Sequence, residues 1–148
     1  MGRGSRATRD EYRFFHAIST RWKDNDVYGH INNVEFYSWF DTAVGVYLIS
    51  RGIIDIATSQ IVGVVVENGC RFHAPIAFPD CVTVGIRAAK LGRSSVRYEI
   101  AVFRNDAHAA AAEGHFVHVF VERATMRPVP IPEAARRALA DIAATAAT

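Results

Sequence analysis

One segment of this 148-residue chain limits its fold more than any other. Residues 33–50 have the pattern of a single long helix, because Asn32 and Glu35 are spaced as a capping box and Gly52 stands where a helix would end. Apolar side chains occupy most of the circumference of this helix rather than one stripe. A helix that is apolar nearly all round is buried nearly all round. In a single domain of this size, the rest of the chain must wrap it.

The segments on either side of this helix have strand patterns. Alternating or continuous apolar runs of strand type cover residues 12–22, 60–73, 80–88, 94–104 and 113–123. A short amphipathic helix follows three prolines, from Glu133 to about Ala144. This order predicts an α+β domain over residues 12–148, with a curved antiparallel sheet of about five strands wrapped around one long central helix. Residues 1–11 are expected to form a flexible leader.

The sequence also predicts that the chain pairs with copies of itself. Ile61–Val66 is a nearly continuous β-branched run, which is typical of a strand covered on both faces. A single curved sheet leaves an edge strand and its outer face unprotected. We therefore expect at least a homodimer, with a homotetramer as the alternative, and this strand is the candidate contact.

Composition excludes several classes of protein. Half of the residues are apolar, 22% are charged and 11% are aromatic, which argues against a disordered chain. The net charge of +2 is too small for a protein that binds duplex nucleic acid. The longest apolar runs fall far short of the roughly 18 residues that span a bilayer, and we see no secretion signal. We therefore expect a cytoplasmic protein with no membrane span.

Cysteine and histidine are too scattered to predict a metal site. Cys70 and Cys81 alone make neither a disulfide framework nor a metal quartet. His115 and His118 are three residues apart on a predicted strand, so their side chains should point to opposite faces of the sheet. We expect neither a metal nor another cofactor.

The densest group of chemically useful residues is the polar loop before the long helix, residues 24–33. Its carboxylates can serve as a base or a nucleophile. Gly29 allows a tight turn back towards the helix, whose first N–H groups can stabilise an oxyanion. This combination suits acyl transfer. The same residues are also ordinary loop and capping residues, with Asn32 as a cap, His30 bonded to a backbone carbonyl, and Asp24 exposed or bracing the loop.

This loop belongs to a longer stretch that resembles a known family. Residues 20–37, Thr-Arg-Trp-Lys-Asp-Asn-Asp-Val-Tyr-Gly-His-Ile-Asn-Asn-Val-Glu-Phe-Tyr, resemble the opening signature of the 4-hydroxybenzoyl-CoA thioesterase-like proteins of the hotdog fold. The similarity continues over about residues 12–142, through segments 65–76, 80–84, 91–96 and 128–132. The resemblance implies a sheet wrapped round one helix, dimers that often form tetramers, and acyl-CoA sites at the subunit interface.

The resemblance also implies roles for single residues of the loop. The second acid of the Asp-x-Asp pair is catalytic in the family, which implies this role for Asp26. Backbone amides at the start of the helix polarise the thioester carbonyl, which points to Asn33 and Val34. His30 lies in the same motif and is included among the candidate catalytic residues.

Two further regions are implied to contact substrate. The CoA phosphates of the family are held at the turn before the fourth strand, so we expect contacts from Arg93, and from Ser94, Ser95 and Lys90, whose donors suit phosphate oxygens. A solvated turn is the alternative. Tyr37 is the candidate residue for contact with the acyl group. It lies in an aromatic cluster of the helix, and simple core packing would also explain that cluster.

The function that the resemblance implies is hydrolysis of acyl-CoA to CoA and a free carboxylic acid. Asp26 would either attack the carbonyl and form a mixed anhydride or activate water, and the sequence leaves both routes open. The alternatives are an enzyme that acts on acyl carrier protein and a non-catalytic acyl-CoA-binding module. Asp41, in the middle of the helix, is a second candidate acid. Nothing in the sequence predicts which acyl chain is bound.

Overall fold

The long apolar segment forms one helix, α1, with the bounds Asn33–Ser50 in the computed structural model of the chain. Asn32 caps it, since the side-chain oxygen accepts a hydrogen bond from the Val34 N–H at 3.2 Å. The N–H of Asn32 donates to the Asp24 carbonyl at 2.8 Å rather than to Glu35. The predicted capping box is therefore not formed, because the Asn32 side chain bonds to the second residue of the helix and not to Glu35, the third.

Five strands and a second helix make up the remaining regular structure, and the structure describes residues 5–144. Their bounds are β1 Phe14–Ser19, β2 Ile61–Phe72, β3 Cys81–Leu91, β4 Ser95–Arg104, β5 Ala112–Glu122 and α2 Glu133–Ala140. The strands form one antiparallel sheet in the order β1-β3-β4-β5-β2. Strands β1 and β2 are consequently the two edges of this sheet.

The inner face of the sheet packs against α1 and forms the core. Alternation along each strand decides which side chains point inwards, and Val96, Tyr98 and Ile100 of β4 are fully buried. The rings of Phe40 and Phe116 pack edge to face across the helix–sheet contact, with centroids 5.8 Å apart. The buried residues of α1 are Phe36, Trp39, Phe40, Ala43, Val44, Tyr47 and Leu48. The predicted α+β architecture, a sheet around one long helix, is confirmed.

Neither α1 nor β2 is covered as fully as the sequence predicts. Val34 and Ile49 of the helix are 59% and 48% exposed, and Val65 and Val66 of β2 are 42% and 60% exposed. In the single chain, Ile61–Val66 is not covered on both faces. The reason is the strand order, because β2 pairs only with β5 and has an open edge on its other side.

Residues 5–11, part of the segment that the sequence predicts to be a flexible leader, pack on the sheet. Ala7 and Tyr12 are buried in a small second cluster on the outer face, together with Phe103. The ring of Tyr12 packs edge to face on Phe103 at 5.9 Å. This apolar contact holds the segment in place. Residues 1–4 lie outside the described residues.

The ends of the first strand and of the last helix also differ from the predictions. The first strand stops at Ser19, because Trp22–Asp24 form a short 3-10 helix. Helix α2 stops at Ala140, and the chain beyond it pairs with β3, where the Ala144 N–H donates to the Ala88 carbonyl at 2.8 Å. Within the described range, neither helix combines the length and hydropathy needed to cross a membrane.

Candidate active site

An ion pair between exposed Arg21 and buried Asp24 holds the polar loop between β1 and α1. Asp24 is 1% exposed. Its carboxylate accepts hydrogen bonds from the Arg21 backbone N–H at 2.8 Å and from the Arg21 guanidinium at 2.8 and 3.0 Å. The same guanidinium lies 3.5 Å from the Glu35 carboxylate in the first turn of α1. Asp24 therefore braces the loop against the start of the helix, which is one of the roles that the sequence left open.

Asp26 begins a tight turn further along this loop. Its Oδ1 accepts hydrogen bonds from the N–H groups of Tyr28 at 2.8 Å and His30 at 3.4 Å. Its own N–H donates to the His30 carbonyl at 2.8 Å. Gly29, with φ of +87°, supplies the left-handed conformation that this turn requires. The side chain of Asp26 is half-buried, and its Oδ2 makes no hydrogen bond to any of the residues 5–144.

A cleft of about 290 Å³ opens beside the first turn of α1. Three sections of the chain form its walls: the end of the polar loop, the first turns of α1, and the segment that follows β2. Their lining residues are His30, Ile31, Asn33, Phe36, Phe72, His73, Ala74, Pro75 and Ile76. Asp26 does not line the cleft. It is hydrogen-bonded to the backbone of His30, and His30 is one of the lining residues.

The two candidate backbone donors at the start of α1 differ in availability. The N–H of Asn33 has no acceptor within the described part of the chain. The N–H of Val34 is bonded to the Asn32 side chain that caps the helix. The positive end of the helix dipole adds to the effect of a free donor. Asn33 is therefore the better placed of the two to stabilise an oxyanion.

The predicted phosphate-binding turn lies at the other end of the sheet. Strand β3 begins at Cys81, beside the end of β1, and runs roughly 30 Å before the turn that holds Arg93. Arg93 is exposed, and its guanidinium contacts none of the other described residues by hydrogen bond or ion pair. One chain therefore does not bring Arg93 and Asp26 together.

The other residues of this turn are held mainly through their backbone. The Ser94 carbonyl accepts a hydrogen bond from the Phe120 N–H at 2.8 Å, and the Ser95 carbonyl accepts one from the Gly92 N–H at 2.8 Å. Lys90 is exposed near the end of β3. The side chains of Lys90, Ser94 and Ser95 bond to no other residue within 5–144, so they remain available to a ligand.

Tyr37 and Asp41 lie on α1, one turn apart. The half-buried ring of Tyr37 packs edge to face on Phe40, with centroids 5.9 Å apart, in agreement with the core-packing alternative. Asp41 is exposed. Neither side chain lines the cleft at the start of the helix.

The histidines of β5 point to opposite faces, as the sequence predicts. His115 lies on the outer face, where its Nε2 is 2.8 Å from the Glu67 carboxylate. His118 is 6% exposed and lies on the inner face beside Tyr98 and Phe116. In the described part of the chain, no three His, Cys, Asp or Glu side chains converge as metal ligands would.

Two parts of this site were missed by the sequence analysis. Arg21 gives no sequence signal of its own, since a single arginine after a strand is ordinary. The wall after β2 has a weak signal in Pro75, which marks the end of the strand but not its position beside α1. The contact that brings this wall to the loop is the hydrogen bond from the Ile31 N–H to the Ile76 carbonyl, at 2.7 Å.

Comparison with known proteins identifies this architecture. A family model described as the thioesterase-like superfamily matches residues 20–139. The structure of the Pseudomonas aeruginosa protein PA5185 has 51% identity and a TM-score of 0.93, over 96% of this chain and 99% of that chain. A Thermus thermophilus thioesterase complexed with coenzyme A and Zn has 34% identity and a TM-score of 0.74, over 88% of this chain and 94% of that one.

A third structure is a thioesterase superfamily protein from Jannaschia, with 25% identity and a TM-score of 0.79, over 86% of this chain and 81% of that one. A search among curated proteins found no match. The fold and these matches thus define a hotdog protein of the thioester-hydrolase class. The chain belongs to the thioesterase-like superfamily, which confirms the family that the sequence resembles.

Proposed function

We propose that this chain hydrolyses acyl-CoA thioesters to CoA and a carboxylic acid. One observation carries the proposal: Asn33, whose N–H has no acceptor within residues 5–144, lines a cleft at the start of α1 next to the turn of Asp26. The similarity to a thioesterase complexed with coenzyme A supports CoA as the thiol carrier.

In the proposed mechanism the thioester carbonyl oxygen lies against the first turn of α1. The Asn33 N–H donates to this oxygen, and the helix dipole favours the negative charge that develops as the carbonyl carbon becomes tetrahedral. Val34 is less suited to this role than Asn33, because its N–H is bonded to the Asn32 side chain. We therefore assign the oxyanion contact to Asn33.

Asp26 supplies the reacting carboxylate. Two N–H groups hold Oδ1 and leave Oδ2 free to react. Oδ2 either attacks the thioester carbon, giving a mixed anhydride and CoA thiolate, or removes a proton from the attacking water. His30 acts through its backbone, which positions Asp26 through two hydrogen bonds.

The CoA phosphates are proposed to bind the Arg93 turn of a second copy. Asp26 and Arg93 lie at opposite ends of one sheet, so a single chain cannot hold both ends of the substrate between them. Antiparallel pairing of two β2 edges would reverse the second sheet and bring its Arg93 turn to the end that carries Asp26. The exposed Val65 and Val66 of β2 support this homodimer. We infer that the active assembly is at least dimeric.

The proposed function is tested with Asp26→Asn, which keeps the size of the side chain but removes its basicity. We expect kcat for thiol release from a panel of acyl-CoAs to fall about 10²-fold or more, because the amide can neither attack nor take a proton. The matched control is Asp106→Asn, at an exposed acid that makes no hydrogen bond to the described residues. Circular dichroism of both variants checks the fold.

The panel also separates the alternative functions. Near-normal turnover by Asp26→Asn would contradict the catalytic assignment. Binding of acyl-CoA without thiol release by the unsubstituted protein would instead indicate a non-catalytic binding module. Hydrolysis of acyl thioesters of acyl carrier protein, but not of acyl-CoA, would make acyl carrier protein the thiol carrier. The proposed role of Asp26 would be unchanged.

A further inference from the structure

A row of three aromatic rings runs from the cleft at the start of α1 into the core. The ring of Phe36 packs edge to face on that of Phe72, with centroids 5.0 Å apart and an interplanar angle of 86°. It also packs on the ring of Trp39, again at 5.0 Å. The exposed fraction falls from 49% at Phe72 to 3% at Phe36 and 5% at Trp39. Phe36 is therefore the ring at which the exposed end of the row meets the buried end.

Phe36 closes the inner side of the cleft. Phe36 and Phe72 both line the cleft, whereas Trp39 does not. Trp39 instead lines a separate groove of about 360 Å³ between β1 and α1, together with His16 and Thr42. One ring of the Phe36–Trp39 contact thus faces each space. The contact keeps the cleft and the groove apart.

The first turn of α1 brings Phe36 close to the proposed oxyanion donor. Asn33 and Phe36 are three residues apart, so they share one face of the helix, and both line the cleft. Three residues of an α-helix rise only about 4.5 Å, and helical side chains lean back towards the N-terminal end. An acyl chain that is bonded to the Asn33 N–H through its carbonyl oxygen and points into the cleft therefore meets Phe36 after a few carbon atoms.

The size and chemistry of the cleft also suit a short apolar chain. Its volume of about 290 Å³ lies at the lower limit of the roughly 300–1,000 Å³ that is typical of sites for drug-sized ligands. Apolar residues, including Ile31, Phe36 and Ile76, form most of its lining, and none of the described Asp, Glu, Lys or Arg residues lines it. A long chain would have to leave the cleft and keep its outer methylene groups in water, where they contribute no binding energy.

We infer that this cleft receives the acyl group of the thioester and that Phe36 limits the length of the acyl chain. The inference rests on the proposed function, since it starts from a carbonyl held at Asn33. It makes Phe36 a specificity residue, which contacts the far end of the acyl chain. Asp26 and Asn33, by contrast, act on the carbonyl.

The test is a series of straight-chain acyl-CoAs from acetyl-CoA to hexadecanoyl-CoA, with kcat/KM measured by thiol release. For the unsubstituted protein we expect kcat/KM to rise by about fourfold for each methylene that is buried, and to reach its maximum at hexanoyl-CoA or a shorter chain. In Phe36→Ala, loss of the ring opens space in front of Trp39, so the maximum should move to a chain about two carbons longer or more. The matched control is Phe40→Ala, at a buried phenylalanine of α1 that does not line the cleft, and its maximum should stay in place.

A maximum at any chain longer than hexanoyl-CoA in the unsubstituted protein would overturn the inference, and so would an unchanged maximum in Phe36→Ala. If Phe36→Ala does not fold, Phe36→Leu is the second variant, because leucine keeps the core more nearly filled while removing part of the ring. Its maximum should move in the same direction by at least one carbon. A maximum that did not move in Phe36→Leu would also contradict the inference.

Failure of the proposed function gives a different result. Absence of thiol release from every acyl-CoA would contradict that function, whatever the role of Phe36. Calorimetric affinities of the same acyl-CoAs for the unsubstituted protein and for the Phe36 variant then decide the inference. It requires the chain that binds most tightly to be longer in the variant, and equal lengths would overturn it.

Discussion

At the scale of single residues, the ion pair between Arg21 and Asp24 determines how the polar loop before α1 is held. Asp24 is almost fully buried, so its charge is separated from water and depends on the three hydrogen bonds from Arg21. Because the Asp24 carbonyl also accepts the Asn32 N–H, the pair connects the end of β1 to the cap of α1. The position of Asp26 relative to the helix start depends on this connection.

We expect Asp24→Asn to destabilise the fold by about 1–3 kcal/mol, because it weakens charge-assisted hydrogen bonds at a buried position. Chemical denaturation gives the free energy of unfolding. The matched control is again Asp106→Asn, at an exposed turn, for which we expect a change within about 0.5 kcal/mol. Equal stability of the two variants would show that the pair does not brace the loop.

At the scale of secondary-structure elements, α1 and β5 approach each other closely at Gly114. A Cβ added there would overlap the ring of Phe40 and would lie 2.7 Å from the carbonyl oxygen of Gly69. The second of these atoms belongs to the backbone of the neighbouring strand and cannot move away alone. Gly114 therefore sets how closely the helix and the sheet approach each other.

Two glycine-to-alanine variants test this contact in opposite directions. Gly114→Ala is expected to cost about 1–3 kcal/mol or more, because the added methyl group overpacks the core. Gly45→Ala is expected to stabilise α1 by up to about 1 kcal/mol, since its methyl group meets no atom within 4 Å and alanine favours the helix. The comparison is made by thermal or chemical unfolding. If Gly114→Ala left the free energy of unfolding unchanged, the helix could move away from the sheet at little energetic cost.

At the scale of the whole molecule, the open edge of β2 is the feature that a second copy would cover. A long edge strand with exposed apolar side chains is a template for pairing with another chain. Val66, which is 60% exposed, lies in the middle of this edge. The position of the Arg93 turn, far from Asp26 in one chain, makes such pairing necessary for the proposed substrate contacts.

We expect Val66→Lys to prevent the proposed dimer from forming, because the added charge must be buried if the two edges pair. Sedimentation equilibrium measures the mass. The control is Ala17→Lys, at an exposed position of β1 on the opposite edge, which should leave the dimer intact. A monomeric control, or a dimeric Val66→Lys, would place the interface elsewhere. Thiol release should be lost together with the dimer.

Much of the fold could be predicted because its signals are local. The apolar circumference and the Asn32 cap predict α1 with its observed start, and alternation predicts the inner and outer faces of β4 and β5. The polar loop with Asp26 could be predicted as a site in the same way, since its residues are adjacent in the chain. The superfamily resemblance rests on this continuous motif and is confirmed by the family match.

Only the tertiary structure shows the features that depend on contacts between residues far apart in the chain. Periodicity shows which face of a strand a residue occupies, but it does not show which strand lies next to it. The open edge of β2 and the separation of Arg93 from Asp26 follow from the arrangement of the strands. The packing of Tyr12 on Phe103 joins two segments that are far apart in the chain. The choice of Asn33 over Val34 as the free donor required the observed hydrogen bonds. Such contacts form between segments that are far apart in the chain, and neither segment's residue pattern indicates its partner. Only the folded structure therefore shows them.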